Sequence, residues 1–305
     1  MAKWTVERAL TKVVKKLGIL GYNKRRNIYG VNPLIISTSY ILLTLLLANL
    51  ARKLVERFID ESKQVVRDLL YEFIATLELC ACCFELIIVA DNWGVTAYAI
   101  FLVLLTIWWS TKWGNASACP YSPIEEILEG TRCLKDALYV IGVQVLAAFL
   151  TFRYIQVLWS LELVETHMDK AYEDCTADLQ VDMISGAVIE ATLTCFCRLA
   201  SRILAETSWK YSHILDAVFG TLMVVAAFNF SGGYFNPALA TSLKFGCTGN
   251  TFAEHVIVYW LGAFLGSAIS VIIFNSNVVQ QKIKSCKGEL WHNQEINNAS
   301  GFKEE

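Results

Sequence analysis

The sequence has little charge and little proline for its length. Of 305 residues, only 18% are Asp, Glu, Lys or Arg and only four are proline, whereas 55% are hydrophobic and the mean hydropathy is +0.44. This scarcity of charge excludes most water-soluble classes, and the scarcity of proline permits long helices. The composition therefore predicts a chain of apolar helices in a membrane.

Recognisable reactive sites are also absent from the sequence. It contains only four histidines, and neither of its cysteine clusters combines the ligand spacing of a zinc site with a nearby His. We find no catalytic triad, phosphate-binding loop or basic nucleic-acid motif. The sequence thus predicts no enzyme, no cofactor and no nucleic-acid partner. Cysteines within apolar runs should behave as small hydrophobic residues, namely Cys80, Cys82, Cys83, Cys195 and Cys197.

Seven stretches approach the roughly 20 apolar residues that a helix needs to cross a bilayer. Three of them carry almost no charge, and four carry one or two polar groups, which is typical of helices packed inside a bundle. The seven predicted spans are Pro33–Ala51, Phe73–Ala90, Trp93–Ser110, Ala137–Ser160, Ile184–Leu204, Ile214–Phe230 and Val256–Phe274.

Charge is distributed unevenly along the chain. Residues 1–30 hold eight Lys or Arg against the single acid Glu7, and residues 162–182 hold seven acids against the single base Lys170. Because basic segments stay on the cytosolic side of membranes, we predict that residues 1–30 are cytosolic and that the acidic loop can lie on the far side.

The chain contains an internal repeat. The string EFIATLELC begins at Glu72 and EATLTCFC begins at Glu190, 118 residues later; Pro120 and Pro237 are 117 residues apart. Each half has three crossings, an odd number, so the second half must be inverted. We divide the chain into a basic segment (1–30), an extra apolar segment with linker (31–68), a first repeat (69–160), an acidic loop (161–183), a second repeat (184–276) and a polar tail (277–305).

Each half also contains a proline-bearing break that reads as the start of a short helix. Asn is a strong N-cap and Pro favours the first helical position, so a helix should begin at Asn236-Pro237 and stop near Gly246, about 15 Å away. Pro120 and Gly130 bound a similar segment. Two such half-helices would meet N-terminus to N-terminus, repelling cations while neutral molecules pass.

These features resemble the aquaporin, or major intrinsic protein, family over roughly residues 70–275. The resemblance rests on the two half-helices, on Glu72 and Glu190, and on the string GGYFNPALA. The first motif is altered and a cysteine follows the second motif, as in the unorthodox superaquaporins of types eleven and twelve; the CPY form looks like that of insect members. The residues concerned are Cys119, Pro120, Tyr121, Asn236, Pro237, Ala238 and Cys247.

The resemblance implies an all-α membrane protein, a six-helix bundle of two inverted repeats with two re-entrant half-helices. It implies a passive channel for water and small neutral solutes, usually a homotetramer, here in the lipid bilayer of the endoplasmic reticulum. It also implies that Glu72 and Glu190 accept hydrogen bonds from the backbone of the two loops, as intramembrane carboxylates need partners.

Departures from the family pattern bear on the solute. Leu239 stands where water-selective members carry Arg, and alignment places Val224, Gly233 and, least securely, Ala99 beside it in the outer constriction. Cys119 offers only a weak S–H donor where the family has an amide. We therefore expect glycerol-sized solutes or hydrogen peroxide to pass rather than a fast flow of water.

Two other functions stay open. A non-conducting structural or adaptor protein could keep the same fold, and the loss of Asn at Cys119 supports that alternative. A membrane enzyme would need paired polar residues that face a cavity at one depth, and beyond Glu72 and Glu190 the spans offer few.

Three features have no settled interpretation. The sequence does not explain Glu125 and Glu126 inside the first half-helix. A true span at Pro33–Ala51 would place the basic residues 1–30 on the far side, so we favour a re-entrant or interfacial segment. Cys175 and Cys247 can form a disulfide or remain free thiols, and we favour free thiols.

Overall fold

The computed structural model describes residues 30–207 and 209–285. The basic N-terminal segment, apart from Gly30, and the polar tail after residue 285 lie outside this range, so the predictions for them stay predictions. Within the described part the chain is mostly helical, and an isolated β-bridge joins Thr176 to Thr248.

Six long helices and three short ones follow one another along the described part of the chain. Short 3-10 turns lie at Glu61–Lys63 and Glu165–His167, residues 256–261 form a π-helical turn, and residues 277–285 are helical. The helices are α1 (Pro33–Phe58), α2 (Gln64–Lys112), α3 (Tyr121–Leu128), α4 (Leu134–Trp159), α5 (Met183–Thr207), α6 (Ser212–Ala227), α7 (Pro237–Lys244), α8 (Phe252–His255) and α9 (Gly262–Phe274).

Helix α2 contains two of the predicted spans. Its direction changes at Gly94, where φ is 82° and ψ is 170°, a backbone conformation that glycine adopts at little cost. The two spans are therefore joined by a kink, with no loop between them. Counting its two arms separately, α2, α4, α5, α6 and the α8–α9 rod supply six helical crossings.

The two halves of the chain pack in equivalent ways. Helix α2 makes its most extensive helix contact with α4, and α5 does so with α9. The α5–α9 contact depends on small residues: a Cβ on Gly266 would lie 2.1 Å from the carbonyl oxygen of Ala191. The predicted all-α bundle of two inverted repeats is confirmed.

The predicted half-helices are α3 and α7. Each has eight residues and is therefore about 12 Å long, less than half of the hydrocarbon thickness. Glycines with positive φ follow both, Gly130 at 74° and Gly246 at 82°. The two helices approach each other through their N-terminal ends, where Asn236 Nδ2 donates to the carbonyl oxygen of Ala118 at 2.8 Å.

The extra apolar segment, for which we expected a re-entrant or interfacial position, forms one continuous helix. Helix α1 has 26 residues, about 39 Å at 1.5 Å per residue, and it is one of five helices in the described range that are long and apolar enough to cross a membrane. Near its start, the Tyr40 ring lies 5.3 Å from that of His167. Near its end, Tyr71 donates to Glu56 at 3.5 Å.

Helix α1 thus extends along the bundle from one side to the other. We call the side that carries the loop 161–183 the outer side, and the opposite one the inner side. The exposed face of α1 presents Leu42, Leu46 and Leu50, which are 59%, 63% and 51% exposed. These side chains suit contact with lipid.

Candidate functional site

A cavity of about 700 Å³ extends past the meeting point of the two half-helices. Apolar and aromatic side chains make up most of its wall, and a few polar groups interrupt them. Helix α2, the two half-helices, α6 and the loops before α3 and α7 all contribute. The lining includes Cys83, Tyr98, Trp109, Trp113, Cys119, Tyr121, Asp178, Gln180, Cys197, Val224, Gly233, Asn236 and Leu239.

Asn236 has two tasks at the centre of the cavity. Its Oδ1 accepts hydrogen bonds from the backbone N–H of Ala238 at 3.0 Å and of Leu239 at 3.3 Å, which caps α7. Pro237 follows at the first helical position, where no N–H is required. The bond from Nδ2 to Ala118 occupies one of the two N–H donors of the amide, and the amide lies in the cavity wall.

The first motif differs at this centre. Pro120 occupies the cap position of α3, and no side chain caps the helix there. Cys119 and Tyr121 both line the cavity, so a thiol lies where the second half presents an amide. The guanidinium of Arg198 lies 5.5 Å from the centre of the Tyr121 ring, on the side of α5.

The two repeat carboxylates hold the loops that lead into the half-helices. Glu72 accepts hydrogen bonds from the backbone N–H of Ala118 at 3.0 Å and from Gln144 Nε2 at 2.9 Å. Glu190 accepts the backbone N–H of Phe235 at 2.8 Å. Both glutamates are buried, at 8% and 0% exposure. Each charge is therefore compensated by donors whose positions determine where a half-helix begins.

Three of the four residues expected in the outer constriction line the cavity. They are Val224, Gly233 and Leu239. Gly233 has a φ of 66°, and a Cβ there would lie 2.7 Å from the carbonyl oxygen of Val224, so the position requires glycine. Ala99 is not part of the lining; its neighbour Tyr98 is, because successive helical residues point about 100° apart.

The outer loop is covalently joined to the segment after α7. Cys175 and Cys247 form a disulfide with a Cα–Cα distance of 4.9 Å, so the expectation of two free thiols was wrong. The bridge between Thr176 and Thr248 aligns the two segments, and it brings the cysteines, 72 residues apart in sequence, next to each other. Sequence spacing alone does not reveal this pairing.

Polar contacts reinforce the same junction at the cavity mouth. Lys244 Nζ lies 2.7 Å from Asp178 Oδ1 and donates to the carbonyl oxygen of Thr176 at 3.0 Å. The Tyr234 hydroxyl donates to the other oxygen of Asp178. Asp178 and Gln180 belong to the cavity wall, so the outer loop forms part of the mouth.

The structure explains Glu125, which the sequence does not. Its side chain is 3% exposed and accepts hydrogen bonds from Arg198 Nε at 2.9 Å, Arg202 Nη2 at 2.7 Å and Ser267 Oγ at 2.7 Å. This network joins α3 to α5 and α9. The sequence does contain a signal for it, because Arg198 and Arg202 are one turn apart in a segment that is predicted to cross the membrane.

Two further buried carboxylates lie on α2, and the sequence did not lead us to predict a role for either. Glu78 is 0% exposed and pairs with Arg52 of α1 at 2.6 Å. Glu85 is 1% exposed, lies 3.1 Å from His167 Nε2 and accepts the indole N–H of Trp159. The signal was their seven-residue spacing, which places both on one helix face.

Three cysteine side chains contribute to the cavity wall, Cys83, Cys119 and Cys197. Among residues 30–207 and 209–285, no group of three or more His, Cys, Asp or Glu is arranged to hold a metal ion. The polar chemistry of the cavity therefore comes from amide, hydroxyl and carboxylate groups and from the backbone.

Known proteins resemble this chain along most of its length. Aquaporin-11 of Milnesium tardigradum is 29% identical over 242 residues, which are 79% of this chain and 87% of that protein. Aquaporin-12 of Mus musculus is 28% identical over 213 residues, 67% of this chain and 73% of that protein. No protein-family model matches the chain.

A solved structure shares the fold. The X-ray structure of the aquaglyceroporin from Plasmodium falciparum superposes with a TM-score of 0.55 at 15% identity, covering 71% of this chain and 98% of that one. At this level of identity, the similarity concerns the fold alone.

Proposed function

Because the chain belongs to the aquaporin family, in the branch of aquaporin-11 and aquaporin-12, we propose that it passes glycerol-sized neutral solutes and hydrogen peroxide as well as water. It is a multi-pass membrane channel protein for water or small solutes, and it is not an enzyme. The order of preference among solutes is the proposal.

The apolar character of the cavity wall at the expected constriction carries this proposal. At the expected constriction, Leu239 and Val224 offer neither a cation nor a hydrogen-bonding wall. An apolar wall does not compensate a strongly hydrated ion for the water that it loses on entry. A neutral molecule with apolar surface loses less hydration free energy.

The central amide provides the polar half of the proposed pathway. Asn236 lies at the N-terminus of α7, where the helix dipole amounts to roughly half a positive charge. An oxygen atom of water, glycerol or peroxide can accept a hydrogen bond there, while a cation is repelled. The proposed selectivity therefore combines a donor at the centre with an apolar constriction nearer the outer mouth.

Flux through proteoliposomes tests the proposal. We would measure osmotic shrinkage and the uptake of glycerol and peroxide for the wild type, Leu239→Arg and Leu239→Met. Leu239→Arg should suppress glycerol flux because it adds a charged, bulky group, and Leu239→Met should leave that flux near the wild-type value. Asn236→Asp should lose flux of all solutes. If Leu239→Arg passes glycerol as fast as the wild type, the constriction is misplaced.

A non-conducting structural or adaptor protein is the second candidate. The thiol of Cys119 favours it, because half of the central amide pair is missing. The same liposomes decide between the two functions. Wild-type flux no greater than that of empty liposomes would remove the proposed solute pathway and leave the scaffold role.

We also propose a homotetramer in the endoplasmic reticulum membrane, on the basis of the family resemblance. Chemical cross-linking of the protein in native membranes should give a ladder that ends at four subunits. Fractionation of cells that express the chain should place it with endoplasmic reticulum markers. A ladder that ends at two, or enrichment in the plasma membrane, would contradict the respective statement.

A further inference from the structure

Helix α1 contacts the channel body through one regularly spaced stripe. Residues about one turn apart face α2 and α4 and are buried, whereas the opposite face is exposed and leucine-rich. Most of the stripe is apolar or carries a hydroxyl group, but its last member is an arginine. The stripe consists of Ser37, Tyr40, Ile41, Thr44, Leu45, Ala48 and Arg52.

The arginine makes a buried ion pair. Arg52 Nη1 lies 2.6 Å from Glu78 Oε2, and the two side chains are 7% and 0% exposed. In the described part of the chain, Arg52 Nη2 and Glu78 Oε1 have no hydrogen-bond partner. Because two desolvated charges with incomplete partners stabilise a fold weakly, stability alone does not account for this pair.

Glu78 has a second partner, and that partner belongs to the cavity. Trp113 donates its indole N–H to the same Oε2 atom at 3.1 Å. The Trp113 ring lines the cavity and stacks on Trp109, another lining residue, with ring centres 5.3 Å apart. Contacts therefore run without interruption from α1 through Arg52 and Glu78 to the wall of the proposed pathway.

We infer that Arg52 is a positioning residue, through which the extra helix α1 fixes the Trp113 indole in the cavity wall and so determines which solutes pass. This inference rests on the proposed channel function. The guanidinium orients the Glu78 carboxyl group. The carboxylate in turn accepts the indole N–H of Trp113, and without this hydrogen bond the Trp113 side chain could adopt other rotamers. Helix α1 then acts on the cavity without contacting it.

The test compares the ratio of glycerol to water permeability among variants of the full chain in liposomes. Arg52→Met removes the charge, and Trp113→Phe removes only the indole N–H and the larger ring. Arg52→Met/Glu78→Gln restores a neutral acceptor for Trp113 and leaves no unpaired charge. Arg57→Met, at an exposed position on the same helix, is the matched control.

We expect Arg52→Met and Trp113→Phe to change the permeability ratio by about threefold in the same direction, a factor that corresponds to one weak hydrogen bond. The double variant and Arg57→Met should keep the wild-type ratio. An unchanged ratio in folded Arg52→Met would show that the arginine is merely structural. If Arg52→Met does not fold, an unchanged ratio in Trp113→Phe overturns the inference.

A second measurement is independent of flux. Cys197 lines the same cavity, and its labelling by a maleimide can be followed by peptide mass spectrometry in a Cys133→Ser background, which removes an exposed thiol. Arg52→Met should change the labelling rate of Cys197, and Glu78→Gln added to it should restore that rate. If the wild type does not conduct, the proposed function fails, and this rate still decides whether Arg52 positions Trp113.

Discussion

The two half-helices perform equivalent tasks, but α7 is anchored at both ends, whereas α3 is anchored through its last turns. Helix α7 is anchored at its N-terminus, where Asn236 caps it and contacts the other loop. Its far end is joined to the outer loop by Lys244 and by the disulfide of Cys247. Helix α3 has no side-chain cap, because Pro120 and Cys119 supply none.

Helix α3 is anchored instead by its last turns. Glu125 accepts hydrogen bonds from Arg198 and Arg202, and Arg202 also pairs with Glu129 at the end of the helix. Cations near the C-terminus of a helix interact favourably with its dipole. These arginines therefore stabilise the helix and join it to α5.

The difference shows how the first motif can lose its asparagine while the half-helix keeps its place. The cap that Asn would supply is replaced by an ion-pair network about one turn away. The contact across the centre comes from the second motif alone, since Asn236 reaches the Ala118 carbonyl. The asymmetry of the motif is thus matched by an asymmetry of anchoring.

Removing the anchor of α3 should have the largest effect. Glu125→Ala leaves Arg198 and Arg202 without their buried carboxylate, and breaking such a network by removing one partner costs about 3 kcal/mol or more. We expect a large drop in the melting temperature of the detergent-solubilised protein and a loss of flux. Differential scanning fluorimetry and the liposome assay measure the two effects.

Glu126→Ala is the matched control for this prediction. Glu126 pairs with Arg132 on the surface, with side chains 42% and 34% exposed, so its loss should cost at most about 1 kcal/mol. Equal melting temperatures for the two alanine variants would contradict the assignment of Glu125 as the anchor of α3.

Cutting the covalent anchor of α7 should have the next largest effect. The disulfide closes a loop of 72 residues, and removal of such a bond typically costs about 2–4 kcal/mol. Cys175→Ser and Cys247→Ser should each lower the melting temperature to a similar extent, and the double variant should be no worse than either. Cys133→Ser, at an exposed free thiol, should leave it unchanged. Additive losses in the double variant would show that no bond joins the two cysteines.

Much of the bundle could be predicted because helices in a membrane leave direct traces in the sequence. Long apolar runs specify the spans, and the recurrence of Glu72 at Glu190 specifies the repeat. The breaks at Pro120 and Pro237 specify the half-helices. Each of these features depends on local chemistry, namely the length of an apolar segment, a cap or a helix breaker.

The errors concern contacts between segments far apart in the sequence. The disulfide depends on how the outer loop aligns with the segment after α7. The partners of Glu78, Glu85 and Glu125 come from other helices. Tyr98 lines the cavity and Ala99 does not, since alignment with a motif does not fix the rotation of a helix. Packing between distant segments determines these contacts, and a single sequence does not reveal that packing.

Restoring the symmetry of the two motifs should have the smallest effect. Cys119→Asn would place a second amide at the centre of the cavity, and one added hydrogen bond of about 0.5–1.5 kcal/mol corresponds to a change of between about twofold and tenfold. We expect water permeability to rise by that factor relative to glycerol, with little change in melting temperature, because Glu125 already anchors α3. Stopped-flow shrinkage of proteoliposomes measures both permeabilities.

Cys119→Ala separates the effect of the new amide from that of the lost thiol. It removes the thiol and adds no donor, so its water-to-glycerol ratio should equal that of the wild type. If both variants raise the water-to-glycerol ratio equally, the increase comes from the altered shape of the cavity and not from a hydrogen bond of the added amide. If Cys119→Asn instead raises the free energy of unfolding by the amount typical of an N-cap, about 1 kcal/mol, α3 is less firmly anchored by its last turns than the structure indicates.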